Sequence, residues 1–137
     1  MAQAALAPSD LTHATLLEQK EGLVVLGLPG TSYRLHLAVS DPVNAKPNAR
    51  IKGRILARAR RVDRMKAGGR FIEPIYGRPR TIQGAVVAVD PEANVLTIDC
   101  GCPFHCTLVA DQRSGDFQVG ELVGCHIERG AVFEPEE

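Results

Sequence analysis

Two groups of residues in this chain have the types and spacing to do chemistry. The first is Cys100-Gly101-Cys102-Pro103-Phe104-His105-Cys106, which packs four candidate metal ligands or nucleophiles into seven positions, followed later by Cys125-His126. The second is the basic stretch 49–61. There Arg50, Lys52, Arg54, Arg58 and Arg60 alternate with Ala49, Ile51, Gly53, Ile55, Ala57 and Ala59. Thiolates and imidazoles suit zinc or nucleophilic catalysis. A file of cations suits a polyanion.

The cysteines do not assemble into either chemistry on spacing alone. Zinc knuckles leave two to four residues between ligands. Cys102 and Cys106 satisfy that and Cys125 would complete a set, but Cys100 and Cys102 stand too close together. The favoured alternative is that Cys100, Cys102 and Cys106 lie on the apolar side of a hairpin, where a free thiol behaves as a small hydrophobe. His105 adjoins Cys106 and His126 adjoins Cys125. Neighbours on a strand point to opposite faces, so neither pair reads as nucleophile and base. His13 and His36 have no partner legible in sequence. With no P-loop glycine pattern and no paired-carboxylate signature, the expectation is a non-enzymatic protein without metal or cofactor. Four cysteines in a chain of this size do not indicate a disulfide scaffold.

The cations carry the stronger signal. Net charge is zero, yet between Lys46 and Arg80 there are 12 Lys or Arg against only Asp63 and Glu73, and the remainder is correspondingly acidic. Such crowding needs an anionic partner or an acidic neighbour to offset it. The candidate nucleic-acid-binding set is Arg50, Lys52, Arg54, Arg58, Arg60, Arg64, Arg70, Arg78 and Arg80, with Phe71 and Tyr76 as the nearby aromatics. So few flat side chains leave binding dominated by phosphate contacts, with little sequence selectivity. The competing expectation is a structural or assembly protein whose basic segment docks on the acidic surface of a second copy or another partner. Gly77-Arg78-Pro79-Arg80 also resembles the core of an AT-hook, although it is a single copy preceded by Tyr76 rather than a basic residue; the alternative is a simple turn.

The elements that position these residues follow from periodicity and turn signals. A loose tail is expected over 1–9, a single domain over 10–133 and an acidic tail over 134–137. Ser9 or Asp10 can cap a short helix to Lys20, with Leu11, Ala14, Leu17 and Leu16 as candidates for its apolar side and Gly22 as its stop. Apolar runs on either side of Pro29-Gly30 predict a hairpin across 23–39. Strict alternation predicts a strand over 49–61. A helix is the alternative, since Ile51, Ile55, Val62 and Met65 also sit near helical spacing, and a helical turn near 62–67 stays open. Strands are expected over 81–89, 95–100, 104–110 and 122–128. Two echoes connect these segments. Ile51-x-Gly53-x-Ile55-x-Ala57 recurs as Ile82-x-Gly84-x-Val86-x-Ala88. Gly30 and residues 33–37 also align with Gly101 and 104–108, after which Ile51 and Ile55 align with Val123 and Ile127. The fold expected is all-β, a small barrel or sandwich of antiparallel strands built from two related halves, with the short helix before it.

From Thr81 to Arg129, the succession of strand, turn, strand, strand and late strand resembles an oligonucleotide- or oligosaccharide-binding (OB) fold or a related small translation-protein-type barrel. That resemblance covers about a third of the chain and implies a curved sheet that holds nucleic acid, sugar or protein. No apolar run reaches the 18 or so residues of a membrane helix. The amino terminus lacks the pattern of a secretory signal, so a cytoplasmic location without a membrane partner is expected.

Overall fold

The computed structural model describes residues 11–109 and 111–136. The strands are β1 (Thr12–Lys20), β2 (Leu23–Gly27), β3 (Arg34–Ala38), β4 (Arg50–Arg64), β5 (Phe71–Glu73), β6 (Tyr76–Gly77), β7 (Thr81–Asp90), β8 (Val95–Asp99), β9 (Pro103–Leu108), β10 (Leu122–Ile127) and β11 (Val132–Pro135). A 3-10 turn, Ser114–Asp116, precedes β10. No helix among the described residues is long and apolar enough to cross a membrane. The loose tail and the proposed caps Ser9 and Asp10 lie outside the described residues.

The segment expected to be helical up to Lys20 is a strand. Thr12, Ala14 and Leu16 are buried in alternation, while His13 is exposed and Thr15 half-buried. Pairing with β2 on one edge and β4 on the other outweighs the weaker helical spacing of Leu11, Ala14 and Leu17. Gly22 serves a hairpin turn at φ 75° instead of a helix stop. The expectation of purely antiparallel strands is also corrected, because β3–β11, β3–β6 and β4–β9 are parallel.

Strand β4 organises the whole sheet. Gly53 has partners Thr12 and Pro135, Ile55 has Phe104 and Phe133, and Ala59 has Leu108 and Ile127. A strand has two edges, so β1 and β9 follow one another along one edge and β11 and β10 along the other. The pairings close into two circuits that share β4: β1-β2-β3-β11-β4 and β7-β8-β9-β4-β10. Each circuit is a three-strand meander, then a parallel pairing, then two antiparallel ones. The echo that aligns β3 with β9 and β4 with β10 thus corresponds to matching positions in the two circuits. At their junction Ile55 is fully buried between Phe104 and Phe133, two of the largest buried side chains. Burying an aromatic side chain stabilises by roughly 1.5–3 kcal/mol. An extra residue at Arg61, with φ 52°, bends β4 where it meets β10.

The glycine echo has a steric cause. A Cβ on Gly53 would stand 2.8 Å from Pro135 Cα and 2.7 Å from Phe133 Cζ, and one on Gly84 would stand 2.9 Å from Cys100 Cα and collide with the Asp99 carbonyl. At both positions a neighbouring backbone comes too close for any side chain. Gly84→Ala should therefore destabilise by roughly 3 kcal/mol and Gly53→Ala by roughly 2 kcal/mol, at or near the upper range for overpacking. Urea unfolding checks this, and a loss below about 0.5 kcal/mol at Gly84 would contradict it.

Candidate nucleic-acid interface

The extended backbone of β4 turns its cations outward, and the sheet supplies their counter-charges. Glu134 of β11 lies directly opposite Arg54 and pairs with it at 3.1 Å; Glu136, next along, meets Lys52 at 3.2 Å. Glu128 serves both Arg58, at 3.3 Å, and Arg60, at 4.0 Å. Arg64 is held most firmly, with Glu121 at 2.5 Å, the Asp116 carbonyl as a second acceptor, and the Phe117 ring 4.6 Å beneath its guanidinium. This guanidinium, with a backbone N–H from Gln118, holds the Glu121 carboxyl below its ordinary range. Arg70 pairs with Asp99 at 2.9 Å. Arg50 has no carboxylate within ion-pair distance among the described residues, while Phe71 is half-buried on β5. The row is real as geometry, but most of it is offset by the chain's own acids.

A different surface keeps its charge. The segment after β4 crosses from one circuit to the other, with β5 pairing with β7 and β6 with β3. The Tyr33 hydroxyl accepts the Ile72 N–H at 3.1 Å, and Gln83 donates to the Gly69 carbonyl at 2.8 Å, which ties this crossing segment to both. It brings Tyr76 beside Arg34 and into edge contact with His36, ring centroids 4.8 Å apart. Tyr76 is 60% exposed, and Ile75 before it is also exposed. Arg78 and His36 share a pocket of about 160 Å³ with Glu21 and Gly130. The Arg80 carbonyl accepts from Ile127, and Thr81 stands opposite His126, whose other neighbour is Arg60. Arg34 and Tyr76 are register partners and Arg78 lines the His36 pocket, while Arg80, just before β7, and Arg129, just before Gly130, are also exposed. Among the described residues no carboxylate lies within 4 Å of Arg34, Arg78, Arg80 or Arg129. His36 Nε2 is buried without a hydrogen-bond partner.

The eleven residues singled out from sequence therefore divide. Lys52, Arg54, Arg58, Arg60, Arg64 and Arg70 face carboxylates. Tyr76, Arg78 and Arg80 lie on the less compensated surface; Arg50, without a carboxylate within ion-pair distance among the described residues, and the half-buried Phe71 belong to neither group. Sequence reasoning missed Arg34, His36 and Arg129. Alternation with Leu35 and Leu37 does turn Arg34 and His36 outward, but only the β3–β6 pairing brings Tyr76 to them.

All four thiols are free and buried inside the second circuit. Burial pushes Cys102 up to about 12, and the Thr12 hydroxyl offsets this only in part. Cys100 is raised first by burial and then by Cys102, and Cys106 by its contact with the Cys125 thiol and by burial. Neutral, dry thiols are poor nucleophiles and poor ligands. The sign of their effect on stability is fixed. Below the ordinary value of 9.0 both states are protonated and the contribution is fully present. As pH rises above it, the unfolded chain ionises first and stability falls towards the folded-state values. Melting temperature should therefore drop between pH 9 and 12, less steeply for Cys102→Ala than for the parent. Equal slopes in scanning calorimetry would contradict this.

Comparison of the chain with protein-family models, with curated proteins and with solved structures gives no significant match to any of them.

Proposed function

We propose that this chain is a nucleic-acid-binding module that holds single strands along the strip of Arg34, Tyr76, Arg78, Arg80 and Arg129. One observation carries this: these four arginines have no carboxylate within 4 Å among the described residues, and Arg34 stands in register with Tyr76, whose side chain is 60% exposed to water. Uncompensated cations gain most from a phosphate chain, because nothing must be displaced to receive it. Tyr76 offers a stacking platform worth about 1–3 kcal/mol for one base, and unpaired bases are the ones able to use it. In an OB fold, oligonucleotides lie against the second and third strands. Strands β2 and β3 hold that place in the first circuit, and Arg34 and His36 face outward from β3. With one ring and four cations, affinity is phosphate-dominated and selectivity weak.

The rival reading sends the basic segment to the acidic surface of a second copy. Because Glu121, Glu128, Glu134 and Glu136 already offset that segment within the chain, the need for such docking is largely removed.

Fluorescence anisotropy with mixed-sequence single-stranded oligonucleotides tests the proposal. Four phosphate contacts give a slope of log affinity against log salt of about −3, hence a loss of about 50-fold between 50 and 200 mM salt. Tyr76→Ala should weaken binding by about tenfold without changing the slope. Arg78→Ala should reduce the slope by about 0.7. Absence of binding at 20 mM salt, or binding indifferent to both substitutions, would overturn it.

A further inference from the structure

The strip leaves the outward row of β4 without a task, and its covering has an unusual form. Glu134 and Glu136 are two residues apart on an extended strand, so their carboxylates repeat about every 6.8 Å. Lys52 and Arg54, on the antiparallel partner, have the same repeat and lie in register with them. An acidic strand thus lies along a basic one much as an anionic polymer would. We infer that this face is a second subsite for a single-stranded nucleic acid, kept closed by the C-terminal segment acting as an internal competitor. The inference rests on the function proposed above.

Three features make the cover displaceable. The anchor of β11 is Phe133, 1% exposed, whereas every residue from Glu134 to Glu136 is exposed. Both ion pairs are at the surface, where such pairs are worth roughly 0–1 kcal/mol each and are screened by salt. Beyond the Val132–Pro135 ladder, the segment is tied by one backbone bond, Glu136 N–H to the Lys52 carbonyl at 2.9 Å. Beside it runs a groove of about 960 Å³, bounded by the 40–45 loop with Asp41 on its rim, and by Arg50, Lys52, Glu134 and Glu136. Arg50, without a carboxylate partner among the described residues, stands at that groove and gives an incoming phosphate its first contact. Lys52 and Arg54 then exchange carboxylate for phosphate in turn, and the released carboxylates are hydrated.

The test is the full-length Glu134→Gln/Glu136→Gln variant, titrated with the same mixed-sequence single-stranded oligonucleotides at several salt concentrations. Three more phosphate contacts, at Arg50, Lys52 and Arg54, should steepen the salt slope by about 2, and affinity at 50 mM salt should rise about tenfold. Arg50→Glu added to the double variant should cancel that gain. The gain should persist when Arg78→Ala is present, since the two subsites are separate. If the parent binds but the double variant matches it in affinity and slope, this inference is overturned while the strip remains. If the double variant binds and the parent does not, the inference holds and the strip reading falls. If neither binds, both fall.

Discussion

The structure depends on one strand having to serve four neighbours. β4 receives β1 and β9 along one edge and β11 and β10 along the other, so two hydrogen-bonded circuits are fused through a single fifteen-residue segment. Small β-circuits must coil tightly, and tight coiling brings backbones together. Gly53 and Gly84 are where that approach leaves no room for a Cβ. The same constraint leaves no long unpaired edge on the two circuits, an arrangement that limits edge-to-edge aggregation.

Sharing β4 also decides what its cations do. A strand buried on one face must turn its other residues to water, and the strands beside it do the same. The turn after β10, the outward side of β11 and the residue just beyond it supply Glu128, Glu134 and Glu136, so charge that is concentrated in sequence becomes balanced in space. Exposed pairs of this kind add little stability. Their consequence is electrostatic: they cancel a field that would otherwise attract polyanions over the whole strand. Where the crossing segment 65–80 meets β3 the cations are less closely offset: among the described residues Arg34, Arg78 and Arg80 have no carboxylate within 4 Å, with Glu21 across the Arg78 pocket and Glu73 on β5 as the nearby acids.

Much of the fold was legible. Alternation at 49–61 and the inward cysteines follow from period-two patterning, the Pro29-Gly30 hairpin from its turn residues, the echo of β3 and β4 in β9 and β10 from the matched circuits, and the glycine echo from two close backbone approaches. The rest was hidden for identifiable reasons. Thr12 to Lys20 satisfies a weak helical spacing, and only pairing with β2 and β4 selects the strand. Glu134-Pro135-Glu136 reads as a solvated tail because its partner lies some eighty residues away, and Phe133 is the sole apolar hint that it is anchored. Pro74, Gly77 and Pro79 rule out a long element but do not reveal that Tyr76 reaches β3. Composition thus picked out the cations, and the structure divides them into paired and unpaired sets. Sequence can count cations, but it does not show which ones meet a carboxylate.

The central claim, that ion pairing within the chain sorts its cations into engaged and available sets, is tested most directly by a residue-resolved NMR titration. Full-length, isotope-labelled protein is titrated with a short mixed-sequence single strand at low salt, and backbone amide and arginine Nε–H shifts are followed. The account predicts that Arg34, His36, Tyr76, Arg78, Arg80 and Arg129 move first and furthest, while Arg64 and Arg70 stay fixed on Glu121 and Asp99. Early, dominant shifts at Arg64 and Arg70, with Tyr76 and Arg78 unmoved, would contradict it.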